Sequence, residues 1–254
     1  MKKACYYLVL ASMWISCAKD RDAPAEKIVT MSEWTWVYSA GNGSESYTLG
    51  PGNKLASSIF FNSETTAAPV NYSYTRNASG QVVKQQQANG SIAYEYNADG
   101  RLAKSSSFNA SGTLTGYYIH SYTAGGYERV SYSASGIVRS KMVFQYTADK
   151  KNIASRTIYN SQGVQTEQTS YTYLSTRSPE QVYPYAEVIF LQMGFANQYA
   201  VEAAATSGSL SGVPYSYTTR YTYMYNKAGY PVEQKETDGS GTPSSVTTYT
   251  YVEK

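Results

Sequence analysis

The sequence predicts an all-β protein, an antiparallel meander of hairpin repeats forming a curved sheet or barrel-like structure, with one short non-repeat cap segment. Three observations carry this prediction. Tyrosines recur two residues apart, turn signals ending in glycine recur at steps of 10 to 14 residues, and no helical crossover separates the strands. The chain has 254 residues, enough for one large β domain. Only 15% of residues are charged, against about 25% in an average globular protein. Tyrosine contributes 28 side chains, against six phenylalanines and three tryptophans. The apolar surface therefore sits largely in rings that carry a hydroxyl, so the chain is built to fold.

The chain opens as an export signal. Lys2 and Lys3 are basic, and Ala4 to Ile15 are apolar apart from Ser12, too few residues to span a bilayer as a helix. The competing reading is a buried first strand or helix. The segment closes on Trp14-Ile15-Ser16-Cys17, which resembles the lipobox of bacterial lipoproteins, with Trp14 where that family usually has leucine. The resemblance implies a signal peptide over residues 1–16 and lipidation at Cys17. Cys5 leaves with the signal and Cys17 is consumed as a thioether, so no disulfide remains. Losing Lys2 and Lys3 leaves 19 basic against 18 acidic side chains, a balance without the clustered basic face that nucleic acid requires.

Residues 17–30 read as a charged tether containing Pro24. A charged stretch directly after the lipidated cysteine resembles the display signal of Bacteroidota lipoproteins. It implies an outer-membrane, cell-surface location held by acyl chains alone, each buried CH₂ adding about 0.8 kcal/mol.

Residues 31–254 form a single tyrosine-rich domain. Asn77-Ala-Ser-Gly80, Asn97-Ala-Asp-Gly100, Asn109-Ala-Ser-Gly112, Asn160-Ser-Gln-Gly163 and Asn226-Lys-Ala-Gly229 share the spacing Asn-x-x-Gly. Asparagine opens a type I turn through its side chain, and glycine accepts the positive φ that closes a bulged hairpin. Gln87-Ala-Asn-Gly90, Thr123-Ala-Gly-Gly126 and Ser133-Ala-Ser-Gly136 are looser versions. The spacing leaves strands of roughly six to nine residues. Between turns, Tyr72 and Tyr74, Tyr94 and Tyr96, Tyr171 and Tyr173, Tyr215 and Tyr217, and Tyr249 and Tyr251 lie two apart, and Tyr221, Tyr223 and Tyr225 extend the pattern. Residues two apart share a strand face, so one face is a tyrosine ladder and the other is wet.

The run Tyr94-Glu-Tyr96-Asn97-Ala-Asp99-Gly100-Arg101-Leu102 resembles the YD (RHS) repeat, with weaker copies starting at Tyr72, Phe144, Tyr171, Tyr223 and Tyr249. The copy at Phe144 has Lys150 and Lys151 where glycine belongs, which predicts an irregular turn. With Tyr221-Thr-Tyr-Met-Tyr-Asn-Lys-Ala-Gly-Tyr-Pro231 and Asp238-Gly-Ser-Gly241, residues 70–254 resemble a Bacteroidota lipoprotein family described as having a porin-like fold. The apolar segment 179–197 breaks the rhythm and reads as the cap, on a sheet edge that needs cover.

The chemistry is sparse. His120 is the only histidine, and its strand setting points to a hydroxyl partner more than to a metal or a triad. Glu95, Asp99, Glu128, Asp149, Glu167, Glu187, Glu202 and Glu233 lie in no setting that predicts a raised pKa. Neither a calcium loop nor a glycine-rich phosphate cradle occurs. No catalytic, cofactor or metal site is expected. A transmembrane barrel needs an outward apolar band, and Gln81-Val-Val-Lys-Gln-Gln-Gln87 and Gln165-Thr-Glu-Gln-Thr169 do not supply one. The sequence therefore reads as a surface-anchored, non-catalytic β-repeat protein that binds or scaffolds, with a glycan or a cell-surface protein as partner. The competing reading is a carbohydrate-active or other hydrolytic enzyme using a carboxylate pair about 5–9.5 Å apart. Trp34, Trp36, Tyr94, Tyr96, Tyr221 and Tyr223 are the candidate aromatic binding surface, set against the simpler role of core packing.

Overall fold

The computed structural model describes residues 29–38, 41–66, 68–182 and 197–253. The signal peptide, Cys17, most of the tether and the interior of the 179–197 segment lie outside the described residues. Sixteen strands follow one another around a closed antiparallel barrel. They are β1 (Val29–Tyr38), β2 (Gly41–Leu49), β3 (Leu55–Asn62), β4 (Val70–Arg76), β5 (Val82–Gln87), β6 (Gly90–Tyr96), β7 (Leu102–Asn109) and β8 (Leu114–Tyr122). There follow β9 (Gly126–Ser133), β10 (Val138–Tyr146), β11 (Ile153–Asn160), β12 (Gln165–Arg177), β13 (Tyr199–Leu210), β14 (Val213–Tyr225), β15 (Pro231–Thr237) and β16 (Pro243–Glu253). Each strand pairs with its sequence neighbours, and β1 closes on β16 with Trp34 opposite Tyr249. The meander expected from the sequence is thus a complete barrel. β1 starts at Val29, inside the expected tether, and β12, β13 and β14 reach 12 or 13 residues, longer than the expected six to nine.

The Asn-x-x-Gly spacing does what its chemistry dictates. In Asn97–Gly100 the Asn97 Oδ1 accepts from the Asp99 and Arg101 amides at 3.1 and 2.9 Å, and Gly100 sits at φ 75°. Asn109, Asn160, Asn226 and Asp238 hold their turns by the same pair of bonds. Two of the looser versions are different devices. Gly90 and Gly126 are the first residues of β6 and β9, and a Cβ on either would lie 2.1–2.2 Å from the Phe108 or Phe144 carbonyl. The lysine-bearing turn keeps the bond from its fourth residue, with Lys150 itself at φ 57°, but closes one residue late, Thr147 N–H bonding Asn152 O. The expected irregularity is that single extra residue.

Each of these Asn- or Asp-led turns is followed by a β-bulge. Glu95 faces Lys104 but Tyr96 faces Leu102, so Ala103 is the extra residue; Val83, Ala154 and Val232 play the same part elsewhere. The bulge brings Leu102 onto the face that carries Tyr94 and Tyr96, while Lys104 points the other way, 3.6 Å from Glu95.

That face is the barrel interior. Tyr94 packs with Leu55, Val82 and Leu102, and Tyr127 with Phe144 and Ile153. The outer face carries exposed Thr48, Ser73, Lys84, Gln86, Gln168, Ser170, Thr172, Thr222, Thr248 and Thr250, with ion pairs Glu128–Lys141 and Glu233–Lys235. Exposed Val37, Ile59, Met224 and Val252 are scattered over it. Tyr117 and Tyr132, stacked with ring centroids 4.9 Å apart, lie on the same face with Ile119, Val130, Val143 and Tyr159, so the outer face is polar on most strands and more apolar across β8 to β11.

The two ends differ. At the base, where β1 begins, every upward strand starts on or beside a buried residue: Met31, Leu55, Val82, Leu102, Tyr127, Ile153, Ala200 and Pro231, the first seven at most 3% exposed. Tyrosines at or within four residues of the ends of the descending strands lock this ring. Tyr96 and Tyr173 donate to the carbonyls of Val82 and Ile153 at 2.6 Å, Tyr251 donates to Pro231, and Arg76 takes the same role on Leu55 at 3.1 Å. The opposite rim is uneven. β14 pairs with β13 as far as Val213, but with β15 only from Arg220, so seven residues of β14 stand above β15.

Candidate functional site

The inner wall gathers the polar groups. Rows of facing residues run across the strands, one of them being Tyr223, Gln234, Thr247 and Trp36 on β14, β15, β16 and β1. Another joins Tyr249, Trp34, Glu45 and Phe60 on β16, β1, β2 and β3. Of the six aromatic residues singled out from sequence, Trp34, Trp36, Tyr221 and Tyr223 thus share one arc, with Trp34 and Trp36 ring centroids 4.7 Å apart. Tyr94 and Tyr96 lie on β6, five strands from β1 and eight from β14. Tyr94 is core, its hydroxyl on Gln85 at 2.9 Å, and Tyr96 is the carbonyl lock. All six face inward; none forms an outward platform.

His120 meets the hydroxyl that its strand setting suggests. Its Nε2 lies 3.0 Å from Ser105 Oγ and its Nδ1 2.6 Å from the Tyr127 hydroxyl. Burial, with Arg129 nearby, pushes the imidazole down to about 4, so it is neutral at pH 7. The constellation has the outline of a serine–histidine pair, but all three side chains are buried, and no substrate can approach Ser105. The set is a structural clasp across β7, β8 and β9.

Two carboxylates escaped sequence reasoning. Glu45 is buried on β2, and burial raises its pKa although Trp34 Nε1 and the Tyr47 hydroxyl donate to it, each at 3.3 Å. Glu180, in the Pro179–Val182 3-10 turn at the base, accepts from the Asn197 amide at 2.6 Å and its Nδ2 at 3.2 Å, and burial pushes it up to about 7. Asn197 Oδ1 in turn accepts from Ile153 N–H and Tyr173. Glu180 therefore ties the joint between β12 and β13. These two run against the expectation that no acid sits where its pKa is raised, and Glu187 lies outside the described residues.

A third cluster sits toward the rim. Arg156 donates to Glu167 at 2.6 Å and to Thr169 at 3.3 Å, Thr169 meets Thr206 at 3.0 Å, and the Tyr215 hydroxyl donates to Glu167 at 2.9 Å. Donation to that carboxylate raises the Tyr215 pKa. The last bond spans β13 from β14 to β12, over Gly208. Grooves of about 540 and 520 Å³, sharing Ser207 and Ser216, adjoin on the opposite, outer face of the same strands. A smaller cavity of about 410 Å³ lies among Tyr72, Gln85, Ile92 and Phe108. Among the described residues, no three His, Cys, Asp or Glu side chains converge as metal ligands would.

The barrel has solved counterparts. The chain is similar to a porin-like protein from Bacteroides uniformis ATCC 8492, with a TM-score of 0.62 and 15% identity over 88% of this chain and 98% of that one. It is similar also to a porin-like protein from Bacteroides vulgatus ATCC 8482, with a TM-score of 0.57 and 10% identity over 88% and 99%. At these identities the likeness is one of fold. No family profile and no curated protein sequence matches the chain.

Proposed function

We propose that this protein is a non-catalytic binding barrel, held at the outer-membrane surface through lipid on Cys17, that receives a glycan against its inner wall. One observation carries the reading: the barrel is inverted relative to a membrane channel. Its outer face is mostly serine, threonine and paired charges, with Tyr117, Tyr132 and Tyr159 on one arc, while its inner face holds most of the tyrosine and tryptophan rings beside hydroxyls, amides and carboxylates. Rings that present an apolar face beside fixed donors and acceptors are what a sugar needs, because its C–H faces stack while its hydroxyls bond. The polar outer face suits a domain that stands in water on a tether, with acyl chains as its contact with lipid.

The binding reading is tested by titrating the exported protein, extracted in detergent, against a panel of neutral and acidic oligosaccharides. Saturable binding by any of them supports it, and a blank panel removes it. Anchoring is tested separately by detergent partitioning against Cys17→Ala. The native chain should enter the detergent phase and the variant should not.

A further inference from the structure

We infer that Tyr215 and Tyr217, with Glu167 and Arg156 behind them, form the saccharide subsite of this barrel, and that it takes a neutral, hydroxyl-rich sugar ring. The inference rests on the binding reading above and narrows it to one place and one ligand class.

The register of the strands creates the place. Because β14 runs seven residues beyond its last pairing with β15, its inward side chains there lack a flanking wall on one side. Tyr217 belongs to the inner face, opposite Thr206, yet is 55% exposed, whereas Tyr94, Tyr127 and Tyr249 on the same face are at most 5% exposed. A large ring left open on a face that otherwise buries its rings is not serving the core.

The platform is held ready. The Tyr215 and Tyr217 rings are nearly parallel, 18° apart in plane with centroids 6.1 Å apart. Gly208 makes this possible: a Cβ there would lie 2.6–2.7 Å from the Tyr215 hydroxyl oxygen and Cζ. The hydroxyl is then fixed by Glu167, and Glu167 by Arg156. Pre-organised aromatic surface beside oriented polar groups loses little freedom when a ligand arrives.

The chemistry selects the ligand. Arg156 and Glu167 cancel each other's charge, so the site favours neither an anion nor a cation. A pyranose with an open C–H face answers the paired rings and the neutral ion pair behind them, and a uronic acid would set its carboxylate near Glu167.

The test is calorimetric titration of the exported, detergent-extracted full chain with neutral gluco-, manno- and xylo-oligosaccharides and with oligogalacturonate of matched length. Neutral oligomers should bind, and Tyr217→Ala should weaken them about ten-fold or more with the melting temperature unchanged. Tyr215→Phe should weaken them less. Met224→Ala, on the outer face of the same strand, should change nothing. Binding that Tyr217→Ala leaves intact would overturn the subsite while the barrel's binding role stands. Tighter binding of oligogalacturonate than of any neutral oligomer would overturn the ligand class. A panel without any binding would remove both this inference and the reading beneath it.

Discussion

The base and the rim of the barrel are built from the same turns and put them to different ends. Gly100 at the base and Gly112 at the rim have φ 75° and 79°, and each turn hands on to a bulged strand. At the base, however, the residue just before the bulge is buried, and a tyrosine hydroxyl from the neighbouring strand closes on its carbonyl or on that of its equivalent. At the rim the strands end at unequal heights, and Leu210, Val213 and Tyr217 lie open. A ring on the tyrosine ladder is therefore glue or contact surface according to its height in the barrel. Ring type and inward direction are the same in both places.

The largest expected effect separates the two ends directly. Leu102→Ala removes a side chain from the base ring and should cost about 2–5 kcal/mol in chemical denaturation. Val213→Ala at the rim should stay within about 0.5 kcal/mol. Equal losses would dissolve the distinction.

Acidity probes the packed half with two groups of opposite sign. His120 has its pKa lowered from 6.5 to about 4, so the unfolded chain binds more protons between those values. Stability from His120 is present above pH 6.5 and lost as pH falls toward 4. Glu180 is raised from 4.5 to about 7, so its contribution is present below pH 4.5 and lost as pH rises through 7. At about 1.4 kcal/mol per unit, each amounts to roughly 3–4 kcal/mol over its window. The two nearly cancel near pH 5–6. Glu180→Gln should leave a melting temperature that climbs from pH 4 to 6.5, and His120→Gln one that declines from pH 4.5 to 7. Identical profiles for the two variants would contradict the assignment.

The shared turns give an intermediate effect that ignores height. Gly100→Val and Gly112→Val each force a branched residue to positive φ and should each cost about 1–3 kcal/mol. A marked difference between them would mean that the turns are not equivalent. The smallest effect belongs to single hydroxyls. Tyr96→Phe strips the lock from the Val82 carbonyl and should cost about 1–2 kcal/mol. Tyr215→Phe at the rim should leave the denaturation midpoint in place, so a matching shift in both would show that Tyr215 also serves the fold.

Much of this architecture is written locally. The Asn-x-x-Gly turns and the period-two tyrosines define hairpins and an inner face from a few residues each. The bulge is invisible to the same counting. By period two, Leu102 and Lys104 share a face, and only the extra Ala103 sends them to opposite sides of the wall. Strand length departs from the expected six to nine residues in β12 through β14, where Gly208 lies inside β13 and marks no turn. Glu167, one of the acids named from sequence, could have been assigned to the inner face, because it stands two residues before Thr169 and four before Tyr171, in step with the inward set. Its partner Arg156 could not, since the register of β11 against β12 decides that meeting. Glu45 likewise gains its meaning from Trp34 across the sheet.

The pairing of Trp34 with Tyr249 sets the tempo of folding. Fifteen of the sixteen seams join strands consecutive in the chain and can form as soon as both strands exist. The sixteenth brings together residues more than 200 positions apart, and loop entropy makes it the slowest contact to find. Until it forms, β1 and β16 are two raw strand edges on an otherwise complete sheet, each able to pair with a neighbouring molecule. The crowding of newly made chains, more than the stability of the finished barrel, then governs how much protein reaches the folded state.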